Sequence, residues 1–303
     1  MAIKQVRAQL NGTWYTLTLN SSTGKYEATV TAPGATSYNQ TGGYYNVTVE
    51  ATNTAGTVTT VNASNLDGLK LVVKERVKPV ITILSPSSGA YVTNSKQPVV
   101  FTVVDEAGGS GVNLSSVVVK LDGTAVAAAT VTHTAVTNGY SFTYTPSAAM
   151  ADGSHTVAIA ASDNDGNTAD QKSTAFTVDT VPPTLNVTSP TDGFITNSSS
   201  VTVAGTTNDA TSSPVTVKIK LNGTDQGAVT VSSSGAFSKA VTLANGSNTI
   251  VVTATDAAGK ESSVTRTVTL DTTKPKITAA TITPNPVDAG KSVVISVTIT
   301  EGE

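Results

Sequence analysis

Apolar and polar residues alternate along much of the chain. Val6, Ala8 and Leu10 alternate with Gln5, Arg7 and Gln9, and Val99, Phe101 and Val103 follow the same rhythm. So do Val217, Ile219 and Leu221, then Ile250, Val252 and Ala254, and finally Val293, Ile295, Val297 and Ile299. A period of two sends successive side chains to opposite faces of an extended chain, so each run predicts a strand with one buried face. Between the runs stand Asn-Gly, Asp-Gly and Pro-containing stretches, which are turn and strand-end signals.

Three signatures repeat. Gly43-Tyr44-Tyr45-Asn46-Val47-Thr48-Val49-Glu50-Ala51 leads into Asn53-Thr54-Ala55-Gly56. Gly153–Gly166 and Gly246–Gly259 repeat that strand and turn, with final glycines 110 and 93 residues apart. A spacing near one hundred is a whole domain rather than a solenoid unit. The second signature is a hairpin turn at Leu10-Asn11-Gly12-Thr13, Leu121-Asp122-Gly123-Thr124 and Leu221-Asn222-Gly223-Thr224. Asn-Gly and Asp-Gly suit a type I′ turn, whose two central residues need positive φ. The third marks junctions at Val77-Lys78-Pro79, Val181-Pro182-Pro183 and Thr273-Lys274-Pro275. Proline there ends one domain's last strand and starts the next domain's edge strand.

The G-x-Y-x-V-x-V-x-A-x-N/D-x-x-G pattern with proline-bounded repeats resembles bacterial and phage Ig-like repeats, the immunoglobulin or fibronectin-III-like β-sandwiches. The resemblance covers nearly the whole chain. It implies an all-β string of beads, each bead built of about seven antiparallel strands in two packed sheets. It also places Tyr45 at the tyrosine corner, where His155 and Asn248 stand in the later repeats. The cysteine pair and the strand-C tryptophan of antibody domains are missing.

Assigning strands by this order divides the chain into 1–77, 78–180, 181–272 and 273–303. The second and third segments carry complete sets. The first starts at strand C, so strands A and B are lacking from it. The last segment matches the A-to-B stretch, with Thr283-Pro284 placed like Ser85-Pro86 and Ser189-Pro190. Burying Val293, Ile295, Val297 and Ile299 is worth about 6–12 kcal/mol, and a lone two-stranded piece cannot achieve it. Three dispositions follow. The half-domain completes the first domain of another subunit by donating strands, it curls back onto its own first domain, or it packs on the third domain or stays disordered.

Composition narrows the function. The 303 residues carry a net charge of −3, 13% charged residues and no cysteine. No basic patch exists to neutralise phosphates, which argues against nucleic acid. Without cysteine there are no disulfides or thiolate metal sites, and no apolar run is long enough to insert in a membrane. The first ten residues alternate as a strand and lack the apolar core of a secretory leader. The expectation is a chain made and kept in the cytoplasm until assembly.

Candidate chemistry is sparse. His133 and His155 are singletons, and no Gly-x-Ser-x-Gly elbow opens a helix, so no enzyme and no cofactor are expected. Asp163, Asp165, Asn167 and Asp170 offer oxygen ligands at calcium-like spacing, against the reading of a polar turn in which Asp and Asn cap their own backbone. Tyr38 and Tyr44 lie in a glycine-rich loop and are candidate contact residues. Two functions of different class remain. One is a bacteriophage structural protein of the tail, baseplate, neck or capsid surface, partnered by copies of itself and other virion proteins. The other is a secreted bacterial surface adhesin or carbohydrate-binding stalk, which would meet cell-surface glycans.

Overall fold

The computed structural model describes residues 2–302. It divides into two compact units, the first ending at Val178 and the second starting at Asp179.

The first unit holds two domains. In the first domain, β1 (Ile3–Leu10) and β2 (Thr13–Asn20) form a hairpin, followed by β3 (Lys25–Glu27), β4 (Tyr45–Asn46), β5 (Thr48–Asn53), β6 (Val58–Val61) and β7 (Lys70–Leu71). The turn residues Asn11 and Gly12 have φ of 48° and 81°, as a type I′ turn requires. One sheet runs β3-β2-β1-β5-β6, and β4 pairs only with β7. Among the described residues of this domain only Val6, Leu10, Tyr45 and Ala63 are buried apolar groups. A groove of ≈ 280 Å³ stays open along Ala8, Leu10, Tyr15, Leu17, Val30 and Leu71.

The second domain contains β8 (Val80–Ser85), β9 (Ala90–Val92), β10 (Val99–Val104), β11 (Val118–Leu121), β12 (Thr124–Ala125), β13 (Val131–Val136), β14 (Gly139–Tyr144), β15 (Gly153–Ala160) and β16 (Lys172–Val178). Two sheets face each other, β13-β14-β10-β8 and β12-β11-β15-β16-β9. Strand β9 runs parallel to β16. The alternating inward residues of both sheets make the core: Phe101, Val103, Val157, Ile159, Phe176 and Val178. Phe101 stacks on Phe142 with ring centroids 5.0 Å apart.

The second unit repeats this plan with β17 (Thr184–Ser189), β18 (Phe194–Thr196), β19 (Ser200–Asn208), β20 (Thr216–Leu221), β21 (Thr224–Asp225), β22 (Ala236–Thr242), β23 (Gly246–Thr255) and β24 (Glu261–Leu270). Its sheets are β17-β19-β22 and β18-β24-β23-β20-β21. Val203, Ile219, Phe237, Ile250 and Val252 fill the space between them.

The chain then forms a hairpin of β25 (Lys276–Thr283) and β26 (Val294–Thr300). It has the antiparallel pairing of β8 with β10 and of β17 with β19. Ile277 faces Ile299 and Ile282 faces Ile295 across the two strands. These residues, together with Val293, Val294 and Val297, are exposed. The first domain, by contrast, forms no counterpart of the β17-β19-β22 sheet among its described residues.

Candidate functional site

A single device closes one corner of all three domains. Tyr45 donates from its hydroxyl to the Ala35 carbonyl at 3.1 Å. At the matching place in the second domain, His155 Nε2 lies 2.8 Å from the Ala151 carbonyl and its Nδ1 lies 2.7 Å from Asp122. In the third, Asn248 Nδ2 donates to the Ala244 carbonyl at 2.7 Å. Three different side chains thus tie the start of one strand to the segment before it. Burial works against a charge on His155, but the Ala151 carbonyl and the Asp122 carboxylate outweigh it and raise its pKa above the ordinary histidine value. His133 leans edge-on against Tyr140 with centroids 5.3 Å apart. Both histidines therefore have packing partners of their own.

Acidic groups gather where chain segments enter the sandwiches. Inside the first unit the segment linking the two domains carries Glu75, which meets Asp105 and Glu106 just after β10. Carboxylate oxygens of the three lie within 4.8 Å of one another. Glu75 accepts from Ser110 N at 3.1 Å and from Ser110 Oγ at 2.9 Å. Asp105 accepts from Gly111 N at 2.7 Å. Burial, reinforced by hydrogen bonds to Glu75 and Asp105, pushes the Glu106 carboxyl up to about 7. Burial also pushes Glu75 upward, but the hydrogen bonds from Glu106 and Ser110 prevail and hold it below its usual range. The nearness of Glu75 and Asp105 thus favours the protonated form of Glu106. The same junction is laced by Asn39 Nδ2 to the Gly109 carbonyl at 2.7 Å and by Glu75 N to Asp165 Oδ2 at 3.1 Å.

The second acidic group lies in the third domain. Asp179 comes from the segment leading into β17, Asp209 from the residue after β19, and Asp256 from the loop between β23 and β24. Their carboxylate oxygens also lie within 4.8 Å of one another, and the three side chains are 0%, 8% and 6% exposed. Asp179 accepts from Val181 N at 3.1 Å and from the Ser212 hydroxyl. Asp209 Oδ1 accepts from Thr211 N at 2.8 Å and from Ser212 N at 2.7 Å. Asp256 Oδ1 accepts from Lys260 N at 2.8 Å, and its buried Oδ2 has no partner.

Of the four residues suggested by their calcium-like spacing, Asp163 and Asn167 bond to each other, while Asp165 and Asp170 take other partners. Asp163 is spent on its own turn, accepting from Gly166 N, Asn167 N and Asn167 Nδ2 at 2.7–2.8 Å. Asp165 turns to Thr36 and the Glu75 backbone at the domain junction. Asn167 also donates to the Glu75 carbonyl at 3.2 Å, and Asp170 pairs with Lys78 at 2.8 Å on the surface. The polar-turn reading accounts for Asp163. Tyr38 is exposed, and Tyr44 packs under the Lys70 ammonium, 5.3 Å from its ring centroid.

Single-site reading missed the buried acids because the members of each group are far apart in sequence. A signal was nonetheless present. Glu75, Asp179 and Asp271 each stand four residues before a junction proline, and Asp105, Asp209 and Glu301 each follow a strand-B pattern.

Comparison with known proteins supports the fold reading. Residues 85–180 match the model of a bacterial Ig-like domain, and residues 183–272 match that of glucodextranase domain B. No curated protein sequence matches the chain. Among solved structures, the fibronectin(III)-like modules of Clostridium thermocellum CbhA are 18% identical, with 63% of this chain and 94% of that one covered and a TM-score of 0.39. Immunoglobulin domains 1–5 of Sidekick-1 are 13% identical over 98% of this chain and 60% of that one, with a TM-score of 0.40. A tetra-tandem repeat from the extending region of a large adhesion protein is 18% identical over 97% and 79% of the respective chains, with a TM-score of 0.35. The chain folds as tandem Ig-like β-sandwich domains.

Proposed function

We propose that the chain is a non-catalytic structural protein that assembles with copies of itself, as a component of a bacteriophage tail, baseplate, neck or capsid surface. One observation carries the assembly: the apolar face of the β25–β26 hairpin is bare, while the first domain keeps an open groove on its one large sheet. Ile295, Val297 and Ile299 are 66%, 48% and 61% exposed, against the buried equivalents Phe101 and Val103 in β10. The hairpin supplies the strand pair that the first domain does not form, so a second copy's hairpin is the occupant assigned to the groove. Repeated in one direction this contact builds rings or fibres. The virion reading is supported by repeats with few charged residues and no cysteine. A bacterial surface stalk uses the same beads, and exposed Tyr38 and the neighbouring Tyr44 would then serve as glycan contacts.

Sedimentation velocity over a concentration series tests the assembly. The full chain should grow in mass with concentration, and Ile295→Lys should stay monomeric with unchanged circular dichroism. A monomeric full chain at every concentration overturns it. Antibody labelling of purified phage particles, set against bacterial envelope fractions, separates the virion from the surface stalk.

A further inference from the structure

Three carboxylates facing each other inside a sandwich need something positive among them. Asp179, Asp209 and Asp256 are each more than nine-tenths buried, and none of the ion pairs among the described residues includes them. Removing such charges from water is costly unless a counter-charge accompanies them. The hydrogen bonds they accept leave Asp256 Oδ2 buried and unpartnered beside the other two carboxylates. The second domain resolves the same loop position differently. There Asn167 Nδ2 donates to Asp163 Oδ2 at 2.7 Å. In the third domain the corresponding residue is Lys260, which reaches Asp256 only through its backbone N at 2.8 Å. The oxygen that an amide satisfies in one domain is left bare in the next.

We propose that Asp179, Asp209 and Asp256 form a binding site for a calcium ion in the third domain. The donors are all oxygen: three carboxylates, with the Ser212 hydroxyl beside Asp179. Such a set suits a hard divalent cation rather than zinc or copper. Oxygens around one Ca²⁺ at about 2.3–2.6 Å stand at most ~5 Å apart, and these carboxylates fit within 4.8 Å. Magnesium demands a tighter octahedral cage and gives up water reluctantly. Water would complete the calcium shell. The ion would join the lead-in segment, the end of β19 and the β23–β24 loop. This site is independent of self-assembly through the hairpin.

The test is hydrogen–deuterium exchange on the full chain, stripped with EDTA and then given CaCl₂ to ~5 mM, a range that covers weak extracellular-type sites. Exchange should slow in peptides covering 179–183, 209–213 and 256–260. Asp256→Asn keeps the Oδ1 acceptor for Lys260 N and removes one charge. It should weaken the calcium effect at least tenfold, while in EDTA its unfolding midpoint should equal or exceed that of the parent. Asp179→Asn carries the same comparison should Asp256→Asn fail to fold. Asp170→Asn, a surface acid outside the group, should respond to calcium as the parent does. Unchanged exchange in these three segments at ~5 mM calcium overturns the site, and so does equal protection in the parent and in Asp256→Asn.

Discussion

Replacing Glu106 by glutamine should remove most of the pH dependence of the first unit between pH 5 and 7. Glu106 is raised from the carboxyl's ordinary 4.5 to about 7 by burial, by Glu75 and by Asp105. A group whose folded pKa is raised stabilises the fold fully below its unfolded pKa and loses that contribution as pH climbs through the folded one. A fully shielded carboxyl with this displacement would contribute ~3 kcal/mol. Glu106 is only part-buried, so screening reduces the expected loss to ~1–2 kcal/mol. His155 is also raised, which adds a decline of the same sign from about pH 6.5 upward. Glu75 and Asp122 are lowered, and their contributions are lost only on acidification, below this window. Trp14 is the sole tryptophan and sits in the first domain, whereas Glu106 belongs to the second. Urea unfolding followed by Trp14 fluorescence therefore reads both the titration and its transmission across the junction. The parent's midpoint should fall from pH 5 to 7, and Glu106→Gln should flatten that limb, leaving the His155 decline above it. A parent midpoint that is flat or rises over this range refutes the raised Glu106 pKa, as does a Glu106→Gln variant with the full slope.

Two further substitutions probe the sandwiches. A Cβ on Gly235 would sit 1.9 Å from the Thr207 carbonyl oxygen at φ +81°, while one on Gly259 at φ +83° would meet open space. Gly235→Ala should cost ~3–5 kcal/mol in urea unfolding of the second unit, and Gly259→Ala only the left-handed backbone penalty of about 1–2 kcal/mol; equal costs would show that the backbone yields at Gly235. Phe101 is fully buried and stacked on Phe142, so Phe101→Ala should destabilise the second domain by ~3–5 kcal/mol, while the exposed Leu84→Ala should change its midpoint by less than ~0.5 kcal/mol.

The sandwich strands were legible because burial on one face imposes period two. Val99, Phe101 and Val103 are 1%, 0% and 0% exposed, and Ile250, Val252 and Ala254 are each 0%. The three hairpin turns were legible for a local reason: Asn11, Asp122 and Asn222 take φ of 48–50°, each followed by a left-handed glycine. Strands β9 and β18 escaped notice. Each has three residues, too few to show a period, and is held by parallel pairing to the last strand of its domain. The corner residues were half legible. Tyr45 matched the family pattern, but nothing local in His155 or Asn248 announced that an imidazole and an amide would replace a phenol in the same tie. For the calcium-like run at Asp163–Asp170, spacing alone does not say whether a carboxylate points outward or caps its own turn. Asp163 does the latter.

The buried acids and the bare hairpin share a physical origin. A sandwich closes its own apolar core and its own backbone ladders, so the middle of each complete domain has little left to offer a partner. What remains unsatisfied collects at the ends. Apolar surface is left over where a sheet lacks its opposite, as along the groove of the first domain and on β25–β26. Carboxylates collect where one segment leads into the next sandwich, and the two groups are neutralised by different means. In the first unit the Glu106 carboxyl is raised to about 7 beside Glu75 and Asp105, and nearby Asp163 takes the amide of Asn167. In the third domain neither device exists, since Ala210 follows Asp209 where Glu106 follows Asp105, and Lys260 replaces Asn167. These two replacements yield a further expectation about the sites. Lys260→Asn should supply the missing amide to Asp256 and weaken the calcium response in the third domain, whereas Asn167→Lys should strip the amide from Asp163 and lower the stability of the first unit by about 1–3 kcal/mol, the cost of leaving a buried acceptor unpaired. Urea midpoints with and without calcium distinguish the two effects, because only the first depends on the ion.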